Sequence, residues 1–212
     1  EDVVAQVAAW ARQGVELRAS VNISARDLYS GDIASHLAAQ LNRHHVSPSQ
    51  ILVEITESAL MADPGRALAT ARRIAALGVA VALDDFGTGY SSLQHLRKMP
   101  LNELKIDRSF VAGMATNTDD AAIVASTVQL AHWLGLRTVA EGVEDESTWA
   151  TLSDIGCAVA QGWLTARAMP GEEVPGWLAE YAAARVPAAQ ALPRPRVAGD
   201  PMGSGADRPA GA

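Results

Sequence analysis

Asn22, Glu54, Asp84, Asp85, Lys105, Glu141 and Gln161 are the residues of this chain whose types and spacing suggest chemistry. Each stands at the end of a short strand-like run. Asn22 follows residues 17–21, Glu54 follows Ile51-Leu52-Val53, and Asp84-Asp85 follows the apolar run 79–83. Lys105 follows Leu104, Glu141 follows Thr138-Val139-Ala140, and Gln161 follows Ala158-Val159-Ala160. The steps between these ends are 32, 30, 21, 36 and 20 residues, close to one strand plus one helix. An amide oxygen and several carboxylates are hard donors that suit Mg²⁺, Mn²⁺ or Ca²⁺, and no His/Cys cluster offers a zinc site. Asp84 and Asp85 are adjacent and point to opposite faces of a regular strand, but at a strand end the second can swing over. Together they can serve two ions about 3.5–4 Å apart, the arrangement that activates a water against a phosphoryl centre. Lys105 can orient that water or neutralise a phosphate oxygen, and Glu141 can take a proton or bind the second ion. A single strand-terminal carboxylate is ordinarily only a solvated charge. Six coincident strand ends point instead to a metal-dependent enzyme.

The elements that must position these groups alternate regularly. A helix is expected at Asp2–Arg12, largely helical structure at 24–42, and further helices at 65–77, 90–98, 119–134, 145–155 and 172–184. Asp63-Pro64 is a helix start with proline in the first turn, and Gly78 and Gly135 are helix stops. Thr118 is the expected start of the long helix before Gly135. Strands alternating with helices must run parallel, and right-handed crossovers bring all their C-terminal ends to one face. The predicted fold class is α/β, a TIM-like (β/α) barrel, with an open doubly wound sheet as the alternative. The barrel is preferred because every strand ends on a functional type, whereas an open sheet gathers its site at one switch point.

Composition bounds the rest. At 212 residues and 49% hydrophobic content, the chain supports one sizeable core. A net charge of −7 disfavours long nucleic acid as a partner, although divalent ions can bridge an acidic site to a small phosphate ligand. The one cysteine, Cys157, sits in an apolar segment as a small buried side chain. No apolar run is long enough to span a membrane, so a cytoplasmic setting is the expectation. The chain opens at Glu1 inside an amphipathic helix and shows six strand units where a closed barrel has eight. The expectation is a barrel domain over 1–184 lacking its first strands, followed by a disordered Pro/Ala/Gly-rich tail over 185–212. His36, His44, His45, His95 and His132 lie on expected helices without metal spacing, and Trp10, Trp133, Trp149 and Trp177 are expected to pack the helical layer. Asp85-Phe86-Gly87 lacks the partner motifs of a kinase, and Gly87-Thr88-Gly89 lacks the third glycine of a dinucleotide loop.

Val21-Asn22-Ile23-Ser24, Glu54-Ile55-Thr56-Glu57, Asp84-Asp85-Phe86-Gly87-Thr88-Gly89-Tyr90-Ser91-Ser92, Leu104-Lys105-Ile106-Asp107, Ala140-Glu141-Gly142-Val143-Glu144 and Gln161-Gly162 occur in that order. This set resembles the EAL domain, the bacterial cyclic-di-GMP phosphodiesterase family, over about residues 1–182. The resemblance implies a modified TIM barrel that hydrolyses cyclic-di-GMP to linear pGpG with two Mg²⁺ or Mn²⁺ ions. It implies that Asn22, Glu54 and Asp84 hold one ion and Asp85 the other. Lys105 then positions the attacking water, Glu141 is the essential carboxylate at the water and metal site, and Gln161 lies in the same mouth. Glu57 is similar to the glutamate that anchors the loop 86–92, which in the family links the metal site to dimerisation. Glu144, Asp107 and Arg167 fall on positions expected to support substrate or loop. A homodimer and sensory or cyclase domains upstream are implied in the same way, and the expectation is a cytoplasmic domain whether or not its parent protein is tethered to a membrane. Three departures stand out. The Glu-Ala-Leu segment with its metal-binding glutamate is absent, Trp163 replaces the usual tyrosine, and Thr165 and Ala168 stand where the family has an aromatic and a proline. The alternative to an active enzyme is a non-catalytic cyclic-di-GMP receptor or scaffold.

Overall fold

The computed structural model describes residues 1–89 and 93–190, so Tyr90, Ser91 and Ser92 of the long motif, and 191–212 of the expected tail, lie outside the described residues. Six strands, β1 (Ala19–Asn22), β2 (Ile51–Thr56), β3 (Ala80–Phe86), β4 (Glu103–Ile106), β5 (Arg137–Glu141) and β6 (Val159–Gln161), form one sheet. Every neighbouring pair is parallel and the spatial order follows the chain order. That order belongs to a (β/α) barrel wall, because a doubly wound sheet reverses direction at its switch point.

The strands form where apolar runs can be buried on both faces. Ile51, Leu52, Val53 and Ile55 of β2 are each no more than 2% exposed, as expected of a strand covered by helices on one side and the barrel interior on the other. α1 (Asp2–Arg12) precedes β1 with the predicted bounds, and α2 (Ala25–Ser30) and α3 (Ile33–His44) divide the predicted helical stretch at Gly31, which has φ 77°. α4 (Glu57–Ala62) and α5 (Pro64–Ala76) link β2 to β3. The Asp63 carboxylate caps α5 by accepting from Arg66 N at 3.1 Å, and its buried Ala67, Ala71 and Ile74 repeat at helical spacing. α6 (Leu93–Leu96) lies between β3 and β4, and α7 (Arg108–Gly113) and α8 (Thr118–Leu134) lie between β4 and β5. α9 (Glu146–Asp154) joins β5 to β6.

Several expectations are corrected. The third strand was expected to end at Leu83, yet β3 continues through both acids to Phe86. The cap of α8 is Asn117, which is extended and accepts from Asp119 N at 2.9 Å, whereas Thr118 is already helical. Trp133 does not pack the helical layer and is 77% exposed, while Trp149 does pack against the core. Cys157 is buried as expected. Glu1–Gly171 forms one compact unit, and Glu172 begins a second, which carries α10 (Val174–Gln190). That helix continues past Ala184, where the tail was expected to begin, and Trp177 stacks on Tyr181 within it at 4.8 Å.

The β5 and β6 ends are clamped together. Val143 N donates to Gln161 O at 3.1 Å and Leu164 N to Val143 O at 3.0 Å. A Cβ on Gly162 would sit 2.2 Å from Val143 O, so only glycine lets the two loops approach. Gly162→Ala is expected to lower stability by about 1–3 kcal/mol as an overpacking change. A urea transition measures this as a lower midpoint at unchanged slope.

Candidate active site

The side chains singled out by type converge at the C-terminal edge of the sheet. Lys105 on β4 is 4% exposed and its ammonium sits among three carboxylates. Nζ lies 2.8 Å from Glu54 Oε2, 3.1 Å from Asp84 Oδ1 and 2.6 Å from Glu141 Oε1. These four residues come from β2, β3, β4 and β5, so one lysine ties four neighbouring strands at their functional ends.

Asp85 joins the cluster through a bulge. Leu83 pairs with Leu104 and Phe86 with Ile106, so β3 uses one more residue than β4 across the same span. Asp85 takes up the extra residue with φ 55°, a left-handed conformation that aspartate tolerates better than most side chains. The insertion breaks the alternation that would send adjacent side chains to opposite faces. As a result, oxygens of Asp84, Asp85 and Glu141 lie within 4.8 Å of one another.

Burial pushes the Asp85 carboxyl up from its ordinary value, and repulsion from Asp84 and Asp107 adds to the rise. Burial likewise raises Glu141; its hydrogen bond to Lys105 opposes this, and Asp84 and Glu54 reinforce it. Burial alone would lower Lys105, but hydrogen bonds from its ammonium to Glu141 and Glu54 outweigh that and hold it above the ordinary lysine value. Four carboxylates therefore share one ammonium in a largely covered site. Excess negative charge on hard oxygen donors fits a divalent cation, so the residues present suit the Mg²⁺ or Mn²⁺ that the sequence motifs imply.

The remaining candidates take varied places. Asn22 is exposed and is the register neighbour of Glu54, and Gln161 holds the same relation to Glu141. Glu57 is 1% exposed, and its Oε2 accepts from Gly87 N at 3.0 Å and from Gly89 N at 3.2 Å, fixing the turn that follows β3. Asp107 caps α7 by accepting from Ser109 N at 2.8 Å. Glu144 is not in the cluster; it lines a cavity of about 330 Å³ with Arg108, Asp145 and Ser147. Arg167 lies over the Trp163 ring rather than at the carboxylates. Glu103 was not singled out from the sequence. It is 6% exposed at the start of β4, with Arg18 hydrogen-bonded to it and Arg137 at 3.7 Å, and it braces the opposite end of the sheet.

The EAL domain family model matches residues 1–168. The chain belongs to the EAL domain family. The bifunctional diguanylate cyclase/cyclic di-GMP phosphodiesterase MucR of Pseudomonas aeruginosa is 39% identical over 175 residues, covering 82% of this chain and 26% of MucR. The cyclic di-GMP phosphodiesterase RocR of the same organism is 39% identical over 160 residues, covering 76% of this chain and 41% of RocR. The chain thus spans between about a quarter and two fifths of the length of these relatives. A solved PaMucR phosphodiesterase complex with c-di-GMP superposes with a TM-score of 0.79 at 40% identity, over 82% of this chain and 70% of that one. The Klebsiella pneumoniae BlrP1 structure with manganese and cy-diGMP gives 0.71 at 29% identity, over 78% and 42%. BlrP1 is also solved with calcium, so divalent cations accompany this fold. The EAL fold carries the TIM-like parallel wall described above, and among the described residues no helix is long and apolar enough to cross a membrane.

In the metal-free EAL domain, Lys105→Met leaves Glu54, Asp84 and Glu141 facing one another without a cation. A loss of about 3–5 kcal/mol is expected, the range for breaking a buried ion pair from one side. The two raised carboxylates favour the protonated form in the folded state, so their contribution is present below the ordinary carboxylate pKa and fades as pH rises through their raised values. The stability difference between Lys105→Met and the parent should accordingly shrink as pH falls through those raised values toward about pH 4, the midpoint of an ordinary carboxylate. Melting curves from neutral to acid pH, with and without Mn²⁺, test this, with Mn²⁺ restoring part of the loss at neutral pH.

Proposed function

We propose that this EAL domain hydrolyses cyclic-di-GMP to linear pGpG in a two-ion mechanism. The observation that carries the reading is the cluster of Glu54, Asp84, Asp85 and Glu141 around Lys105 at one edge of an EAL fold. The names of the relatives MucR and RocR support the substrate and the reaction. Asn22, Glu54 and Asp84 would hold one ion, and Asp85 with Glu141 the other. Bound divalent ions would polarise the phosphodiester and lower the pKa of a water between them.

The chain's own residues do the rest. The Lys105 ammonium, fixed by its carboxylate partners, orients the water and opposes charge that gathers on the phosphate oxygens. Glu141, raised above the usual carboxylate value by burial, is suited to accept the water's proton. The water oxygen bonds to phosphorus as the P–O3′ bond breaks on the opposite side. The 3′ oxygen leaves and takes a proton from solvent, while the phosphate stays on the 5′ oxygen, which yields pGpG. Glu57 keeps the turn at Gly87 and Gly89 in place, and with it the Asp85 conformation. We further infer a cytoplasmic domain that acts as a homodimer in a longer protein bearing sensory or cyclase domains.

Turnover of cyclic-di-GMP by the intact protein with Mg²⁺ or Mn²⁺, followed as pGpG by chromatography, tests the reading. Glu141→Gln should lower the rate by at least about 10²-fold, the scale of a lost general base. Undiminished turnover in that variant overturns the assignment of Glu141. Ligand binding without any product assigns the domain to reception instead.

A further inference from the structure

The carboxylate cluster leaves one expected ligand untied. The three ion pairs of Lys105 join β2, β3, β4 and β5, and none of them reaches Asn22 on β1. Among the described residues β1 pairs with β2 alone, over four residues, so backbone pairing holds it along one edge only. Neighbouring strands in a sheet are rotated by about 20–25° relative to one another. A short strand held at one edge therefore needs a second anchor before its terminal side chain is fixed in direction.

Arg18 and Glu103 supply that anchor at the other end of the sheet. Arg18 stands immediately before β1, Glu103 opens β4, and the Arg18 guanidinium donates to the Glu103 carboxylate. β2 and β3 lie between β1 and β4, so the pair passes over two strands. Residues two apart on a strand share a face, which puts Glu103 on the face of Lys105, where side chains of four strands converge. The pair is thus a chord across the concave side of the wall. The contact with Arg137 is different in kind: it lies 3.7 Å from Glu103 and is its register partner on the adjacent β5, so it spans no gap. A carboxylate that is 6% exposed must keep its partners. That demand fixes where Arg18, and with it the start of β1, stands relative to β4.

We propose that Arg18 and Glu103 are positioning residues for the ion assigned to Asn22, Glu54 and Asp84. The proposal rests on the two-ion reading. The chord sets the separation of β1 from β4 at one end of the strands, and Asn22 and Lys105 inherit it at the other. Asn22 stands four residues along from Arg18, about 13 Å at the usual strand rise, so a tilt of about 5° moves its amide by about 1 Å. A hard octahedral ion such as Mg²⁺ tolerates little departure from ideal geometry. Loss of the chord lets β1 swing and carries the Asn22 oxygen away from Glu54 and Asp84, while the ion at Asp85 and Glu141 stays.

The test reads bound ions in the intact protein, with Mn²⁺ as probe and no substrate present. Two Mn²⁺ about 3.5–4 Å apart give an exchange-coupled electron paramagnetic resonance spectrum distinct from that of a lone ion. Arg18→Met should weaken one of the two binding steps by about 10-fold, the lower end for a lost group that orients a metal ligand. It should also diminish the coupled spectrum at Mn²⁺ levels that just saturate the unmodified protein. Arg18→Lys should keep most of the affinity, and Arg137→Met, which cuts only the contact between adjacent strands, should leave both steps unchanged. In an Asn22→Ala background Arg18→Met should add no further loss, because both changes remove the same ligand. Unchanged binding in Arg18→Met, equal weakening in Arg137→Met, or a full further loss on top of Asn22→Ala each overturns the proposal and leaves the two-ion reading intact. If Arg18→Met does not fold, Arg18→Gln carries the same decision. An unmodified protein that binds no second Mn²⁺ overturns both readings together.

Discussion

The ion pairs of Lys105 organise the functional end of this domain. A buried ammonium is costly to desolvate unless its donors are matched, and here Glu54, Asp84 and Glu141 lie within 3.1 Å of it. The arrangement constrains both partners. The carboxylates cannot sit so close to one another without a cation, and the lysine cannot be covered without the carboxylates. Since the four residues stand at the ends of four consecutive strands, the registers of β2 through β5 and the geometry of the site are one problem with one solution. Three carboxylates against one ammonium still leave negative charge, and Asp85 adds to it. The site is therefore held together by its own cation and remains under-neutralised, which is the electrostatic condition for drawing in divalent ions.

The bulge in β3 depends on a second set of contacts behind the site. Asp85 at φ 55° and Gly87 at φ 101° turn the chain sharply after the strand. A Cβ on Gly87 would lie 2.9 Å from the Phe110 ring, so the turn is pressed against α7. The buried Glu57 carboxylate accepts from the amides of Gly87 and Gly89, one side-chain oxygen serving two backbone donors. Asp107, which ends the segment after β4, caps α7 and faces Asp85. Glu57, Phe110 and Asp107 thus fix the direction in which the second aspartate points.

Much of this was legible because parallel strands buried on both faces leave plain apolar runs, as in Ile51–Thr56, and because the polar residue after each run marks a strand end. The bounds of α1 and the start of α5 at Asp63-Pro64 were readable from periodicity and capping chemistry. The bulge was not, since two adjacent acids do not say which of them is the extra residue; only the Leu83–Leu104 and Phe86–Ile106 registers do. α4 and α7, six residues each, are too short for a helical period to show. Glu103 drew no attention in the sequence because its burial depends on Arg18 and Arg137, which are far from it in sequence. Spacing likewise suggested that Lys105 and Glu141 share an edge, but not that they touch. Trp133 was misplaced because a tryptophan near a helix end reads as core unless the facing surface is known.

The central claim is that the carboxylates around Lys105 bind divalent cations through a site that the β3 bulge completes. Titration of the protein with Mn²⁺, following the free ion by electron paramagnetic resonance, measures this without relying on turnover. The account predicts saturable binding by the unmodified protein and a clear loss of affinity or of bound ions in Asp85→Asn, with Asp84→Asn weakening it further. Identical Mn²⁺ binding by the unmodified protein and by the Asp84→Asn/Asp85→Asn double variant would contradict it.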